Sequence, residues 1–432
     1  MSYAHQRIKS GANARTGGTL AVLDIGCSKI ACLIATRDLA GPNGYMLRGG
    51  GRQQSRGFTG GAITDMSGLE RVIRLAVEDA ERQAGERIES VILGVTGPKV
   101  ACQLVSASLE IAGREITARD IKRVQSAALE KADIEGHDVL SAHTIEYFVD
   151  DETGVRNACG MHADRLGVWL SVVKAPTTMV RNLVECVGRA HLTVERLVPS
   201  AIAGGMGTLI DDERDNGAIC IDMGAGVTSV SVFLNGAPAW LGLVPVGGQH
   251  VTGDIAQGVG TTFPAAERMK TVYGTADTDG PGLAERIEAP RLGDDGRLNT
   301  SRMAKGELAN IVAPRVEEIF EFVDQLLKTS SIANALPRRA VLTGGASQLS
   351  GVRDVARRVL NMPVRLGRPV SAEILGETLG TPAFSTASGL LSYELAGYAD
   401  ATRARVGRSV FAGGVGEGGT VNKMLHWLKE NF

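Results

Sequence analysis

Two aspartates set in apolar segments are the residues of this chain that are best suited to chemistry. Asp24 and Asp222 lie in alternating apolar runs, and each is followed two positions later by a glycine, Gly26 and Gly224. The pattern predicts a strand, a tight turn and a second strand, with the carboxylate at the end of the first strand. Because a buried carboxylate without a partner is costly, two of them at equivalent positions indicate a shared cation or a metal-bound phosphate.

The glycine turns that follow the aspartates predict a binding site for phosphate groups. Glycine lets the main chain come close to a ligand, and main-chain N–H groups donate to phosphate oxygens. Hydrated Mg²⁺ prefers carboxylates and waters, so Asp24 and Asp222 are predicted to hold Mg²⁺ through water. Lys29 adds a positive charge and Thr228 adds a hydroxyl group. The predicted phosphate-binding residues are Gly26, Cys27, Ser28, Lys29, Gly224, Ala225, Gly226, Val227 and Thr228.

Two later glycine-rich segments extend the predicted nucleotide site. One is a turn at 246–249, and the other is a strand over 341–343 that runs into a helix predicted to begin near Ser347. We expect the N-terminus of that helix to lie near the nucleoside. Each element is a weak signal by itself, but their order along one chain makes nucleotide binding the leading interpretation. The residues assigned to the nucleotide here are Gly247, Gly248, Gly344, Gly345 and Ala346.

Length and composition narrow the class of protein. The chain has 432 residues, which exceeds what one core usually supports, so two or more domains are expected. A hydrophobic fraction of 44% with 22% charged residues is ordinary for a soluble globular protein. A formal net charge of −2 and an aromatic content of 4% disfavour a nucleic-acid partner.

Cysteine spacing and the chain ends point to the cytoplasm. The 6 cysteines show neither CxxC nor His/Cys spacing, which disfavours a disulfide scaffold or a zinc site and fits a reducing compartment. There is no apolar run of the length that spans a bilayer. Residues 1–18 are polar and lack the apolar core of a signal peptide, so we predict a disordered extension there.

Strand-like and helix-like segments alternate along the chain, which predicts an α/β protein with layered sheets. Segment 41–61 is rich in glycine and arginine and is predicted to be a loop, whereas 90–172 is predicted to be an inserted α+β module. The two aspartate hairpins indicate an internal duplication, although unrelated buried hairpins would also alternate and carry a glycine. Four of the predicted helices matter here. The first covers 69–83, and the second begins near 118 with Thr117 and Asp120 as a capping box. The third covers 177–189 after Pro176, and the fourth carries an apolar stripe over 311–327.

The ordered motifs resemble the superfamily of actin, sugar kinases and DnaK-type chaperones, and more closely the FtsA family of bacterial cell-division proteins. Segments 244–256, 341–349 and 385–391 are similar to motifs of that family. Glu267 and Lys270 resemble its Glu-x-x-Lys adenosine contact, although helical spacing alone would indicate an exposed pair. The resemblance runs from about residue 20 to the C-terminus and implies an actin-like fold of duplicated domains around a cleft that binds ATP and Mg²⁺.

The resemblance also implies a division into subdomains, and one departure from related ATPases points to slow hydrolysis. Related ATPases position the attacking water with a polar or acidic residue near the first connecting helix. Val198 stands where DnaK-type chaperones have glutamate, and Ser200 could hold a water. We therefore expect slow or dispensable hydrolysis and assign no catalytic residue. The implied subdomains are 1A over 19–89, 173–203 and 375–398; 1C over 90–172; 2A over 204–250 and 321–374; and 2B over 251–320, followed by a flexible linker over 399–419.

The last 13 residues of the chain, 420–432, have an amphipathic pattern that predicts a helix lying in a membrane surface. A terminal helix docked on its own domain is the alternative. Burying the apolar side chains would contribute roughly 5–10 kcal/mol, less the ordering of an isolated short helix. One tail should bind weakly, and many tails on one polymer should bind tightly. The apolar face is Val421, Met424, Leu425, Leu428 and Phe432, with Trp427 at its margin and Lys423 and Lys429 facing away.

In the FtsA family these features imply a protein that polymerises on the cytoplasmic face of the inner membrane at the division septum. The resemblance implies that it tethers FtsZ filaments there and recruits later division proteins. Arg315 and Glu318 lie in a segment that resembles the contact region for the FtsZ C-terminal tail, although such charges are also ordinary on a helix surface. Two alternatives are a small-molecule kinase of the superfamily, which needs a carboxylate base, and the related actin-like adaptor of pilus assembly.

Overall fold

The computed structural model describes residues 18–38 and 44–396. Strands and helices alternate, as the sequence predicts. The strands are β1 (Thr19–Ile25), β2 (Lys29–Arg37), β3 (Tyr45–Gln54), β4 (Phe58–Thr59), β5 (Ala62–Ile63), β6 (Ser90–Val95), β7 (Ala101–Glu110), β8 (His137–Val149), β9 (Glu152–Val155), β10 (Arg165–Pro176), β11 (Thr193–Pro199), β12 (Ala218–Met223), β13 (Thr228–Leu234), β14 (Ala237–Val244), β15 (Arg286–Glu288), β16 (Arg291–Leu292), β17 (Leu298–Asn299), β18 (Arg302–Ala304), β19 (Ala340–Thr343) and β20 (Val364–Leu366).

Helices pack on both sheets that carry the aspartates. The described residues also include three short 3-10 turns. The helices are α1 (Met66–Ala84), α2 (Ala118–Leu129), α3 (Thr177–Arg189), α4 (Ser200–Thr208), α5 (Asp211–Asn216), α6 (Gly248–Val259), α7 (Phe263–Tyr273), α8 (Lys305–Lys328), α9 (Val352–Leu360), α10 (Ala372–Leu379) and α11 (Ser385–Ala396). The 3-10 turns are Ala333–Ala335, Gly345–Gln348 and Pro382–Phe384.

The two aspartate hairpins are the centres of two sheets built on one plan. The first sheet has the order β11-β6-β1-β2-β3, and the second has the order β20-β19-β12-β13-β14 when read from the corresponding edge. In each sheet the aspartate strand pairs antiparallel with the strand after the turn and parallel with its other neighbour. The matching orders confirm the duplication that the repeated hairpins predict.

Apolar residues of the first hairpin lie in one core, whereas those of the second hairpin are divided between that core, which holds Cys220 and Phe233, and a second one. Leu23 and Leu33 are buried in the first core with Ile73 of α1, and Ile221 is buried in the second core with Phe320 of α8. Because alternate residues of a strand point to opposite faces, helices on both faces bury nearly every residue of the hairpins. Asp24 and Asp222 therefore lie at the end of strands that are otherwise apolar.

The glycine-rich segment predicted as a loop contains strand β3, so that prediction is wrong for Tyr45–Gln54. Helix α1 packs directly on the backbone of this strand. A Cβ atom built on Gly51 would lie 1.9 Å from Ala76 O, and one on Gly49 would lie 2.2 Å from Ala80 O. Glycine thus permits a close approach of helix to strand, and the same residues resemble a loop when the sequence is read locally.

The inserted module is a four-stranded sheet of order β7-β10-β8-β9 with α2 packed on it. The predicted capping box is present, since Thr117 Oγ1 accepts from Asp120 N while Asp120 accepts from Thr117 N. Tyr393 Oη on α11 lies 3.1 Å from His143 Nε2 on β8 and links the insert to the first half. Strand β6, which the sequence analysis placed in the insert, instead lies between β1 and β11 in the first sheet.

Helices α4 and α11 cross between the two halves with their backbones in contact. A Cβ atom on Gly389 would lie 1.6 Å from Ala203 O, and one on Gly207 would lie 2.2 Å from Ser385 O. Only glycine allows this separation. The crossing holds the first residue of each helix at the base of the cleft between the sheets.

The helix predicted to begin near Ser347 is replaced by the 3-10 turn Gly345–Gln348, and the α-helix begins at Val352. Gly344 and Gly351 have φ values of 88° and 80°, which interrupt a regular helix. The predicted N-terminal extension up to residue 17, the linker from 399 and the helix 420–432 lie outside the described residues. Within 18–38 and 44–396, no helix combines the length and apolar character needed to cross a bilayer.

Candidate functional site

The turns after Asp24 and Asp222 have the same geometry. Gly26 N donates to Lys29 O at 3.0 Å, and Gly224 N donates to Val227 O at 3.0 Å. A Cβ atom on Gly26 would lie 2.9 Å from Lys29 O, and one on Gly224 would lie 2.8 Å from Val227 O. Neither position has room for a side chain without a shift of the turn.

The two turns face each other across one cleft. Cys27 Sγ lies 2.7 Å from the position that a Cβ atom on Gly226 would occupy. Gln249 Nε2, at the start of α6, donates to Cys27 O at 3.5 Å and ties the second half to the first turn. The backbone amides that the sequence assigns to phosphate groups thus lie around one space.

The two aspartates share an electrostatic environment with Lys29. Burial raises the pKa of Asp24 to about 6, with a further upward contribution from Asp222 and an opposing one from Lys29. Burial also raises the pKa of Asp222, while a hydrogen bond from Thr386 Oγ1 at 2.8 Å and the charge of Lys29 oppose it. Two carboxylates and one ammonium leave a net negative charge when ionised, and a divalent cation would compensate it.

Lys29 is enclosed by both charged and aromatic groups. Its Nζ lies 4.7 Å from the centre of the Phe384 ring, which favours a cation over the ring face. Burial lowers the pKa of Lys29, and Arg52 acts in the same direction, whereas the two aspartates oppose the change. The side chain is therefore held where a phosphate group between the turns would meet a positive charge.

The start of α6 rests on the second turn. Gly248 N donates to Gly224 O at 2.9 Å, and Gln249 N donates to Ala225 O at 2.8 Å. A Cβ atom on Gly247 would lie 2.6 Å from Gly224 O. The predicted turn at 246–249 is therefore packed directly against the predicted phosphate-binding turn.

Lys270 lies among polar groups at the start of α6. Its Nζ donates to Glu267 Oε2 at 2.7 Å, to Thr252 Oγ1 at 2.8 Å and to Gly248 O at 3.0 Å. The Lys270 side chain is 13% exposed and the Glu267 side chain is 44% exposed, so the lysine, but not the glutamate, departs from the exposed pair that helical spacing alone would indicate. A Cβ atom on Gly248 would lie 3.0 Å from the Cβ of Ala346, so the predicted adenosine contacts lie together.

Gly344 touches the second aspartate. Its φ of 88° lies in the left-handed region, and a Cβ atom there would lie 2.2 Å from Asp222 Oδ1. Thr228 differs from expectation, because its side chain is buried and its hydroxyl donates to Val246 O at 2.8 Å. We therefore expect residue 228 to contribute its backbone, and not its hydroxyl group, to phosphate binding.

Arg315 and Glu318 lie on α8 and pair with each other and with α6. Arg315 donates to both carboxylate oxygens of Asp254, at 2.6 and 3.0 Å, and also to Glu318. The hydrogen bonds to Asp254 raise the pKa of Arg315 further above its ordinary value. This ion-pair cluster joins α8 to α6.

Three residues of the cleft were not assigned to the site from the sequence. Phe384 and Thr386 lie just before and within α11, and Gln249 lies in the predicted turn at 246–249 but was not assigned to the nucleotide. Thr386 lies within the 385–391 motif, which was the available signal, but its bond to Asp222 depends on the crossing of α4 and α11. In the part of the chain that the structure describes, no group of three or more His, Cys, Asp or Glu side chains forms a metal site without further ligands.

Solved structures with the same fold include actin-like proteins. The chain aligns with a protein of the PilM–PilN type IV pilus biogenesis complex at a TM-score of 0.59 and 16% identity, covering 87% of this chain and 98% of that one. It aligns with MreB5 of Spiroplasma citri bound to ADP at a TM-score of 0.53 and 12% identity, covering 88% and 96%. At these identities the likeness establishes the actin-like fold and nothing further.

Proteins related in sequence are more similar to this chain than those solved structures are. The chain is 37% identical to the cell division protein FtsA of Agrobacterium fabrum over 422 residues, or 96% of this chain and 95% of the relative. It is 31% identical to FtsA of Pseudomonas aeruginosa, covering 98% and 100%, and 30% identical to FtsA of Escherichia coli K12, covering 95% and 97%. Family models for the cell division protein FtsA and for the SHS2 domain inserted in FtsA match residues 219–389 and 97–174. The chain therefore belongs to the FtsA family of cell division proteins.

Proposed function

We propose that this cell division protein binds ATP and Mg²⁺ in the cleft between its halves and uses the nucleotide as a switch for assembly. The single observation that carries this proposal is the cluster of Asp24, Asp222 and Lys29 between two glycine turns. The aspartates would hold Mg²⁺ through water, and the turn amides and Lys29 would bind the phosphates. Residues 247–248, 267, 270 and 344–346 would contact the nucleoside.

The subdomain division belongs to this proposal. Subdomains 1A and 2A would contain the two five-stranded sheets, the inserted sheet would form 1C, and 2B, over 251–320, would contain α7 with most of α6 and α8. ATP between the halves would favour one arrangement of the subdomains, because a ligand shifts a conformational equilibrium by its different affinities for the two states. That arrangement would be the one that polymerises.

We further propose that the polymer attaches FtsZ filaments to the inner membrane at the division septum and recruits later division proteins. Membership of the FtsA family supports this purpose. The apolar face of 420–432 would anchor each subunit weakly, and polymerisation would make the attachment tight. Arg315 would bind the C-terminal tail of FtsZ by exchanging Asp254 or Glu318 for a carboxylate of the partner.

Binding of ATP should be measured by calorimetry with and without Mg²⁺. Asp24→Asn and Asp222→Asn should each weaken binding at least tenfold in the presence of Mg²⁺, because the metal loses a charged partner. Asp294→Asn, on an exposed loop between β16 and β17, is the matched control and should bind normally. Unchanged affinity in both cleft variants would contradict the proposed site.

Membrane attachment should be measured by liposome flotation. Deletion of 420–432 or Leu425→Glu should abolish flotation. The predicted helix puts His426 on the polar face with Lys423 and Lys429, so His426→Glu adds a similar charge there and should retain most of the binding. A small-molecule kinase of the superfamily would show no dependence on this segment. Electron microscopy on lipid monolayers should show filaments that require ATP and Mg²⁺, and their absence would remove the switch from the proposal.

A further inference from the structure

Arginine is concentrated in one segment of the second half. Residues 338–368 contain seven arginines, no lysine and a single acidic residue, Asp354, so the segment has a formal charge of +6 in a chain whose total is −2. The segment forms β19, α9 and β20, so the charge is gathered on three consecutive elements. Such a patch attracts groups of the opposite charge. The arginines are Arg338, Arg339, Arg353, Arg357, Arg358, Arg365 and Arg368.

A groove of about 750 Å³ lies where α9 meets the start of β20, and we call it the α9 groove. Three of the arginines line it from α9, and the turn into β20 adds the apolar side chains of Met362, Pro363 and Val364. A ligand that fills this groove would therefore carry both negative and apolar groups. The lining residues are Arg353, Asp354, Arg357, Arg358, Asn361, Met362, Pro363 and Val364.

The arginines of the α9 groove are only partly neutralised by their neighbours. Arg353 Nε and Arg357 Nη1 lie 3.6 and 3.7 Å from the same oxygen, Asp354 Oδ1, and their side chains are 50% and 58% exposed. Arg358 Nη1 lies 2.7 Å from Glu317 Oε1, and its side chain is 62% exposed. Because a guanidinium group carries five N–H donors in a planar fork, one shared oxygen leaves most donors of Arg353 and Arg357 for the carboxylates of a ligand.

Strand β20 is the open edge of the second sheet beside this groove, because it is the last strand in the sheet order and pairs with β19 alone. Pro363 O and Gly367 N form hydrogen bonds with β19 at 3.0 and 2.8 Å. The alternate residues, Val364 and Leu366, therefore direct their backbone groups away from β19. Leu366 O accepts from Arg365 Nη1 at 3.4 Å. The strand thus offers the N–H group of Leu366 and both backbone groups of Val364 to an added strand.

The other face beside β20 is apolar. Arg365 Nη2 donates to Thr208 O at 3.1 Å and ties β20 to the end of α4. Val370 N donates to Gly207 O at 2.8 Å, so Val370 lies by the same helix end. The side chains of Ile210 and Val370 are 50% and 52% exposed there. Since successive side chains of a strand point to opposite faces, a strand added at this edge would meet arginines on one face and apolar groups on the other.

We propose that the α9 groove and the edge of β20 bind an extended acidic segment of a partner protein, which adds to the five-stranded second sheet as a further strand. In strand addition, main-chain hydrogen bonds give affinity and alternate side chains give specificity. The segment that fits has acidic residues at every second position, which pair with Arg353 and Arg357, and apolar residues between them.

The structure favours a peptide over other anions. A lipid surface has no strand to pair with β20, and the eight lining residues of the α9 groove include no aromatic ring on which a nucleic-acid base could stack. This surface lies outside the proposed nucleotide site, the proposed FtsZ contact and the segment 420–432. It adds a partner to the proposed function without depending on it.

Fluorescence anisotropy with the full chain tests the role of charge. The probe is a labelled peptide of about ten residues in which glutamate and valine alternate, which gives a strand one acidic and one apolar face. This peptide should bind saturably. The double substitution Arg353→Glu with Arg357→Glu should weaken binding at least tenfold, because like charges then face each other. A peptide with lysine in place of glutamate should not bind the wild type.

Arg82→Glu is the matched control, since Arg82 also lies on a helix, is 74% exposed and pairs with an aspartate three residues earlier. It lies on α1 in the first half and should change the affinity less than about twofold. The inference is overturned if the double variant binds the glutamate peptide as tightly as the wild type does. It is also overturned if the wild type does not bind that peptide or binds the lysine peptide equally well.

Hydrogen exchange tests strand addition separately from charge. Binding of the glutamate peptide should slow exchange of the Val364 and Leu366 amides at least tenfold, because these groups become donors to the added strand. The amides of β3, an edge strand of the first sheet, should exchange at an unchanged rate. Peptide binding without protection of Val364 and Leu366 would refute strand addition. The measurement uses the wild type, so it decides the question even if the double variant does not fold.

Two other occupants of the α9 groove would give different results. If the double variant binds the peptide normally but loses flotation with vesicles of phosphatidylglycerol and phosphatidylcholine, the groove binds lipid headgroups and the inference fails. If it binds the peptide normally but loses self-association in sedimentation, the occupant is a second copy of this chain and the inference fails as well. The peptide assays need no nucleotide, so a failure of ATP binding would refute the proposed function and leave this inference standing.

Discussion

Replacing Asp24 by asparagine should make the nucleotide-free protein more stable. A rise in the pKa of Asp24 from its ordinary 3.8 to about 6 corresponds to about 3 kcal/mol of preference for the neutral carboxyl in the folded state. Asparagine is neutral and nearly isosteric, so it removes the charge that is disfavoured. The figure is an upper bound because Asp24 keeps some contact with solvent.

The gain in stability from Asp24→Asn should depend on pH. Because the folded pKa lies above the unfolded one, the folded state binds the proton more tightly, and wild-type stability falls as pH rises from about 4 through about 6. The difference between Asp24→Asn and wild type should therefore be about 3 kcal/mol at pH 7.5 and roughly half of that at pH 5.

Urea unfolding monitored by circular dichroism measures this difference, with midpoints compared at both pH values. Asp294→Asn, in the exposed loop, is the control and should shift the midpoint little at either pH. An asparagine variant that is less stable than wild type at pH 7.5, or a difference that does not shrink toward pH 5, would refute the reasoning. Weaker binding of ATP by the more stable variant would show a trade of stability for function.

Three further perturbations test separate parts of the molecule. Gly344→Ala should weaken ATP binding in calorimetry at least tenfold, because its Cβ would lie 2.2 Å from the carboxylate of the second aspartate; Gly282→Ala has a similar φ of 84° with open space around its Cβ and should bind normally. Arg315→Ala should weaken binding of an FtsZ tail peptide in fluorescence anisotropy about tenfold or more, and unchanged affinity would remove this contact. Asp120→Ala should destabilise the insert by about 2–3 kcal/mol, because it removes the capping box of α2 and the two hydrogen bonds from Arg114 at 2.7 Å. Hydrogen exchange of the insert amides measures this loss, and equal protection in both proteins would contradict it.

The parts of the fold that were predicted correctly depend on short-range patterns. Alternating apolar residues around Asp24 and Asp222 determine two hairpins, and Pro176 together with the 3.6-residue period gives α3 as Thr177–Arg189. The capping box at Thr117 is likewise local. These signals lie within one turn or one strand, so reading the sequence in short windows is enough to find them.

The parts that were missed depend on contacts between distant segments. Gly49 and Gly51 resemble loop residues until α1 is packed on them. Thr386 becomes a partner of Asp222 only because two helices from different halves cross. The correspondence between Gly94 beside Asp24 and Thr343 beside Asp222 can be seen only from the register of the paired strands.

The crossing of α4 and α11 has a consequence for the spacing of the cleft. A Cβ atom on Gly389 would lie 1.6 Å from Ala203 O, so a larger residue there would push the two helix backbones apart. Thr386 of α11 donates to Asp222, so a wider crossing would draw that hydroxyl away from the second aspartate. The surroundings of a carboxylate in the cleft thus depend on a glycine one helical turn away from it.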